Sequence, residues 1–215
     1  MKKVMIAVFA LALVFGFQLS IAQSNSNKEL KKEIKNKAVK QARKEARGFK
    51  RDGYYVAPGA LPMDKQIEEA WMKQYEDDES GFPKYIVASG NSVAETQSAA
   101  KLQATELAKL ELAGTISTQI AALIENSVAN QQLNNEDAAT VTKTVAASKN
   151  IIAQELGRII TLFEIYRKVD KNIETNVRIA YNSDMAKEAA KNVVRKRLEE
   201  ETEIVHEKLE KMMNF

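Results

Sequence analysis

Not one cysteine occurs in the 215 residues, and that absence constrains the fold more than any residue that is present. It excludes a disulfide framework, a thiolate zinc site and a nucleophilic thiol together. The chain must hold itself together by burying apolar surface. It also lacks the cysteine that a bacterial lipoprotein needs directly after its signal, so no lipidated N-terminus is expected.

The first segment fits export. Lys2 and Lys3 precede an apolar run from Val4 to Leu19, and Ser20-Ile21-Ala22 ends it with small residues three before and one before a cut. This is the three-part secretory pattern, and cleavage before Gln23 is expected. An uncleaved anchor is the alternative, although a spanning helix needs roughly 20 apolar residues and Gly16 and Gln18 weaken this one. Loss of residues 1–22 removes two lysines from 32 basic residues and no acid from 29, leaving a formal charge of +1. Such a balance points to no nucleic-acid partner. The expected location is the periplasm or the exterior, and the remaining chain is long enough for one sizeable core.

Residues 23–60 read as a basic helical arm and linker. From Lys28 to Arg51, eleven basic residues face three acidic ones, with Leu30, Ile34, Ala38, Ala42 and Ala46 on a thin apolar stripe. One expectation is a solvated helix lying loosely as an appendage. The other is a basic arm making peripheral contact with phospholipid headgroups, lipopolysaccharide or peptidoglycan, with Phe49, Tyr54 and Tyr55 as interfacial anchors. A break at Tyr55–Pro62 follows, carrying two prolines and a glycine.

Residues 61–215 read as an α+β domain with a long C-terminal helix. Pro62 suits the start of a short helix with Ile67, Ala70, Trp71 and Tyr75 at helical spacing. The stretch from Asp64 to Glu79 has a net charge of −5 and is expected to pair with the basic arm; Trp71 reads as a core anchor. Tyr85 to Ala88 is a strand candidate ended by Gly90 and Asn91. Ser92 with Glu95 has capping-box spacing for the next helix, which runs to about Asn130 and is loosened at Gly114. Its Ala100, Ala104 and Ala108 form a small-residue ridge for close packing. A second long helix is expected from about Asp137 to Glu155, ended by Gly157. Residues 159–169 and 173–181 form a hairpin around Asp170-Lys171-Asn172, with Val177, Ile179 and Tyr181 on one face. Asn182 or Ser183 caps the last helix. Its early face uses Ala186, Ala190, Val193 and Val194, and its later residues Leu198, Thr202, Val205, Leu209 and Met212 form a short heptad-like seam. The expected architecture is a small antiparallel sheet covered on one face by long helices, with the charged N-terminal helix attached.

The strand at Ala88-Ser89-Gly90, the repeated alanines Ala99-Ala100, Ala104 and Ala108, and the hairpin from Ile165-Tyr166-Arg167 to Val177-Arg178-Ile179-Ala180-Tyr181 resemble the Lpp-twenty-like family of bacterial envelope proteins. The resemblance covers roughly half the chain and is one of packing pattern. It implies an outer-membrane or periplasmic role and carries no catalytic residue across. The absent lipobox cysteine is a departure from the family.

Catalytic patterns are weak. His206 stands among Glu201, Glu203 and Glu207 as a surface histidine more readily than a metal ligand. Ser89-Gly90-Asn91-Ser92 lacks the second flanking glycine of a nucleophile elbow and reads as a cap. Acids are too numerous for any pair to stand out as a glycosidase would require, and no glycine cluster cradles phosphate. No cofactor or metal is expected. The function expected is non-enzymatic: binding of an envelope protein or cell-surface component in envelope assembly or maintenance, with the seam at Leu198, Val205, Leu209 and Met212 as the candidate interaction face and weak homo-oligomerisation as one use of it. The rivals are an exported carboxylate-dependent hydrolase, marked by two carboxylates across an open cleft, and a small-ligand carrier, marked by an enclosed apolar cavity between sheet and helices.

Overall fold

A computed structural model describes residues 32–33, 36–129 and 135–201. Helix α1 covers residues 36–51, and α2 covers Met63–Gln74 with Pro62 before its first turn. Strand β1 (Tyr85–Ala94) leads into the 33-residue α3 (Gln97–Ala129). Then come α4 (Asn135–Ala147), α5 (Lys149–Glu155), β2 (Ile160–Val169), β3 (Asn172–Asn182) and α6 (Ser183–Glu201). The three strands form one antiparallel sheet in the order β1-β3-β2. The fold is α+β.

Helices cover the sheet on both faces, not on the single face expected. The cause is the two-residue period of its strands. On β3, Val177, Ile179 and Tyr181 enter a first core with Ile86 and Ala88 of β1, the ridge of α3 and the apolar faces of α4, α5 and α6. Ala180 points the opposite way, into a second core with Ala42 and Ala46 of α1 and Met63, Ile67 and Ala70 of α2. A bulge between Thr161 and Phe163 breaks the alternation of β2, so that Leu162 and Phe163 both join this second core. Helix α1 is thus part of the domain and no appendage: Ala38, Ala42 and Ala46 are all buried.

The ridge on α3 serves close approach to the sheet. Ala100, Ala104, Ala108, Leu112, Ile116, Ile120 and Ile124 recur every four residues and are buried. Opposite them lies Gly90, where an added Cβ would fall 1.9 Å from the Ala104 carbonyl oxygen. The strand therefore runs through Gly90 to Ala94 instead of ending there, since only a missing side chain lets the two backbones meet. Ser92 consequently lies within β1 and does not cap α3; its hydroxyl donates to Gln103 Oε1 at 2.6 Å. The cap is Thr96, whose Oγ1 accepts from the Ala99 N–H at 3.2 Å. Gly114 leaves α3 unbroken, with the Lys149 side chain lying over it. By length and composition the stretch Gln97–Asn126 could cross a membrane, but here its apolar ridge is spent on the sheet.

One further expectation changes, and the hairpin and the last cap are found where expected. The helix expected from Asp137 to Glu155 is two, α4 and α5, broken at Ser148. It ends before Gly157, whose N–H donates to the Tyr181 hydroxyl at 3.3 Å. The hairpin keeps its register from Val169 and Asn172, and Asp170 takes a φ of 54° in its tight turn. Asn182 caps α6 as expected, its Oδ1 accepting from the Asp184 and Met185 N–H groups at 3.0 Å each.

Both outer edges of the sheet are blunted by side chains. Glu111 of α3 accepts the Ser89 N–H of β1 at 2.8 Å. Gln66 of α2 accepts the Glu164 N–H of β2 at 3.1 Å, and Tyr55 pairs with Tyr166 through N–H to carbonyl bonds of 2.7 and 2.9 Å. Strand addition at these positions is obstructed.

Candidate interaction surface

Helix α1 divides into two faces. Its alanine stripe lies on the second core, and Glu45, beside that stripe, turns inward to accept from Trp71 Nε1 at 2.9 Å and Arg178 Nη2 at 3.1 Å. Arg178 also lies over the Phe163 ring at 4.6 Å. Glu45 was not singled out by the sequence, yet a signal existed: it is the one acid among seven basic residues of 36–51, and it flanks the apolar stripe. Trp71 is half-buried, tied to α1 through Glu45 and stacked on Tyr75 at 5.7 Å.

The other face is cationic. Lys37, Lys40, Arg43, Lys44, Arg47, Lys50 and Arg51 are all exposed. At about 100° per residue they fall within an arc of about 140°, roughly opposite the alanines. Lys37 pairs with Glu33 at 2.7 Å, which raises the lysine's pKa and lowers the carboxylate's through their shared hydrogen bond. Arg51 lies 3.7 Å from Asp52. Among the described residues, none of the other five pairs with a carboxylate.

The acidic stretch does not neutralise α1, contrary to expectation. Glu76 is taken by Lys73 at 2.8 Å and Lys84 at 2.9 Å, and these bonds hold its carboxyl below the usual range. Glu68 takes Lys65 at 2.9 Å, and Asp78 accepts the Ser80 and Phe82 N–H groups. The sequence could not reveal that these acids satisfy themselves locally. The result is a polar molecule: residues 28–51 carry 11 basic and 3 acidic groups, residues 52–215 carry 19 and 26.

A partly buried polar cluster centred on Glu174 fixes the C-terminal end of α1 to the hairpin. Glu174 accepts from Asn91 Nδ2 at 2.7 Å, from Arg167 Nε and from the Tyr54 hydroxyl. Arg167 also stacks over the Tyr54 ring at 4.7 Å and reaches the Asp52 carbonyl. Burial opposes the charge on Glu174, but the Arg167, Asn91 and Tyr54 bonds outweigh it and keep the carboxyl below its ordinary 4.5. Burial, then the bond to Glu174, raises the Tyr54 phenol. Because the folded pKa of Glu174 is depressed, its contribution is fully present above about pH 4.5 and is lost as pH falls through the folded value. Glu174→Gln is expected to cost about 1–2 kcal/mol at neutral pH and to flatten the acid limb of the stability profile. Urea melts from pH 7 down to pH 3 check this; an unchanged acid limb would contradict it.

The seam proposed from sequence is divided. Leu198 is fully buried in the first core with Ala186, Ala190 and Val194, so it belongs to the domain's own packing. Val205, Leu209 and Met212 lie outside the described residues, as do His206, the signal-like segment 1–22 and the connection 131–134. Phe49 and Tyr54 are not interfacial anchors, because they pack edge to face at 5.3 Å within the second core. Tyr55 is partly exposed but lies against Tyr166. Open grooves run along α1 and between α3 and α4, the latter lined by Ile124, Ala138, Thr142 and Ala146. At Gly90 the sheet and α3 are too close to enclose a ligand. Among the described residues no group of three or more histidines and carboxylates converges on a metal position.

Comparison with protein-family models, with curated proteins and with solved structures returned no match.

Proposed function

We propose that this is an exported, non-enzymatic protein of the bacterial envelope that acts by binding another envelope protein or the cell surface, in assembly or maintenance of that envelope. The observation that carries the reading is the cationic face of α1, rooted in the second core and facing away from it. A helix held rigidly by its alanine stripe presents its charges without first ordering them, which lowers the entropic cost of association. The concentration of positive charge on one element of an otherwise acidic domain would orient the molecule toward an anionic partner.

Export rests on the pattern of Lys2 and Lys3, the run Val4–Leu19 and Ser20-Ile21-Ala22. The periplasm or the exterior is the location it implies. Kinship with the Lpp-twenty-like family accords with the alanine ridge on α3 and the hairpin β2–β3, and remains part of the proposal. The test is site-specific crosslinking from α1 in intact cells, combined with an intact-mass measurement. An adduct formed through α1 by a chain that has lost residues 1–22 is the expected product; a full-length chain recovered without adducts would contradict both parts.

A further inference from the structure

We infer that the basic face of α1 docks flat on an anionic phospholipid surface, lying on the headgroups and not inserted among the acyl chains. The inference rests on the reading of α1 as a contact face and names what that face meets. Three observations carry it.

The charges are arranged for a plane. Lys40, Arg43, Lys44, Arg47 and Lys50 are exposed along one side of α1, and from Lys40 to Lys50 they extend over about 15 Å. Their arc is confined to one side of the helix, and the long Lys and Arg side chains at its margins can bend toward a flat surface laid along it, where mobile headgroups can gather beneath each. Among the described residues the face also carries no apolar anchor. Its flanking aromatics, Phe49 and Tyr54, are committed to the second core, which fits binding to a headgroup layer without penetration. Finally, the rest of the chain is acidic on balance. Residues 52–215 hold seven more acids than bases and would be repelled by the same surface, so α1 is the side that meets it.

Binding of this kind is a matter of point charges. It should be strongly salt-dependent and indifferent to which anionic headgroup supplies the phosphate. The experiment uses the chain as purified from envelope fractions, sedimented with vesicles of phosphatidylcholine alone or with about a quarter phosphatidylglycerol or phosphatidylserine. Strong binding to both anionic mixtures and weak binding to the neutral one is expected, with release as salt rises from about 0.05 to 0.5 M. Combined Lys40→Glu, Arg43→Glu, Lys44→Glu and Arg47→Glu substitutions should lower the partition by about 100-fold or more with the melting temperature retained. The same four positions changed to Gln give a milder variant, good in helix propensity, which should lose an intermediate amount.

Equal binding to neutral vesicles, or undiminished binding by a folded variant, would overturn the inference. So would failure to bind anionic vesicles, or tighter binding to peptidoglycan or duplex DNA under the same conditions. If vesicles are ignored but crosslinking from α1 in cells still depends on these four residues, the lipid occupant fails alone. If that crosslinking is also independent of them, the reading of α1 as a contact face fails with it.

Discussion

Replacing Gly90 by alanine is expected to destabilise the protein by about 3 kcal/mol or more, although it adds a single methyl group. The methyl would sit 1.9 Å from the carbonyl oxygen of Ala104 and 2.7 Å from the amide nitrogen of Ala108. Both are backbone atoms of α3, so no flexible side chain can swing aside. The helix would have to lift from β1, opening gaps around Ile86, Ala88 and Val177 in the first core. The opposite result is expected at Gly48. It lies within α1, with nothing within 4 Å of an added Cβ. Gly48→Ala should stabilise by about 0.5–1 kcal/mol through helix propensity. Thermal melts of the two variants test whether the contact itself is decisive. Equal effects at the two glycines would contradict the close approach of β1 and α3.

Ile179→Asp should be comparably severe, at about 3–5 kcal/mol. Ile179 is fully buried in the central strand, between Ala88 on β1 and Thr161 on β2, and it faces the α3 ridge with Val177 and Tyr181. A carboxylate there would have no counter-charge among its core neighbours and would either ionise without solvation or bind a proton far above its usual range. Denaturant melts should show the loss easing at acid pH, where the aspartate is neutral. A melting curve like that of the parent would mean that this face is open to water.

The sequence disclosed the elements whose signals are local. Alternation of apolar residues on β3, the turn residues at 170–172 and the cap at Asn182 each follow from neighbours a few positions apart, and each is found where expected. The ridge of α3 was legible because alanine at four-residue spacing has a direct packing meaning. What failed depended on a distant partner. Ser89-Gly90-Asn91-Ser92 reads as a turn because the reason for Gly90 is the backbone of α3. The Ala38, Ala42 and Ala46 stripe looks too thin to root a helix, since alanines bury little area each; it suffices because Met63, Ile67 and Phe163 crowd against the same side. The second covered face of the sheet was hidden for the same reason. Arg178 looks like a solvent-facing strand residue until Glu45 of α1 and the Phe163 ring meet it. Leu198 fits a heptad and a core equally well, and only its burial decides between them.

For the contact face, the cationic residues were legible as composition but not as a surface. Composition cannot tell whether Lys and Arg are neutralised by the acidic stretch that follows, and in the fold Glu68 and Glu76 of that stretch bind Lys65, Lys73 and Lys84 instead.

The most direct measurement is photocrosslinking in intact cells from two positions of the same chain. A photoreactive side chain in place of Gln41, exposed at the margin of the basic face, is compared with one in place of Glu188, exposed on α6. If α1 is the contact face, an envelope component should be captured reproducibly from position 41 and not from position 188. Capture should disappear when Lys40, Arg43, Lys44 and Arg47 are changed together to Glu in a chain that still melts normally. Equal capture from both positions, or capture from position 41 that survives the charge reversal, would contradict a binding function carried by α1.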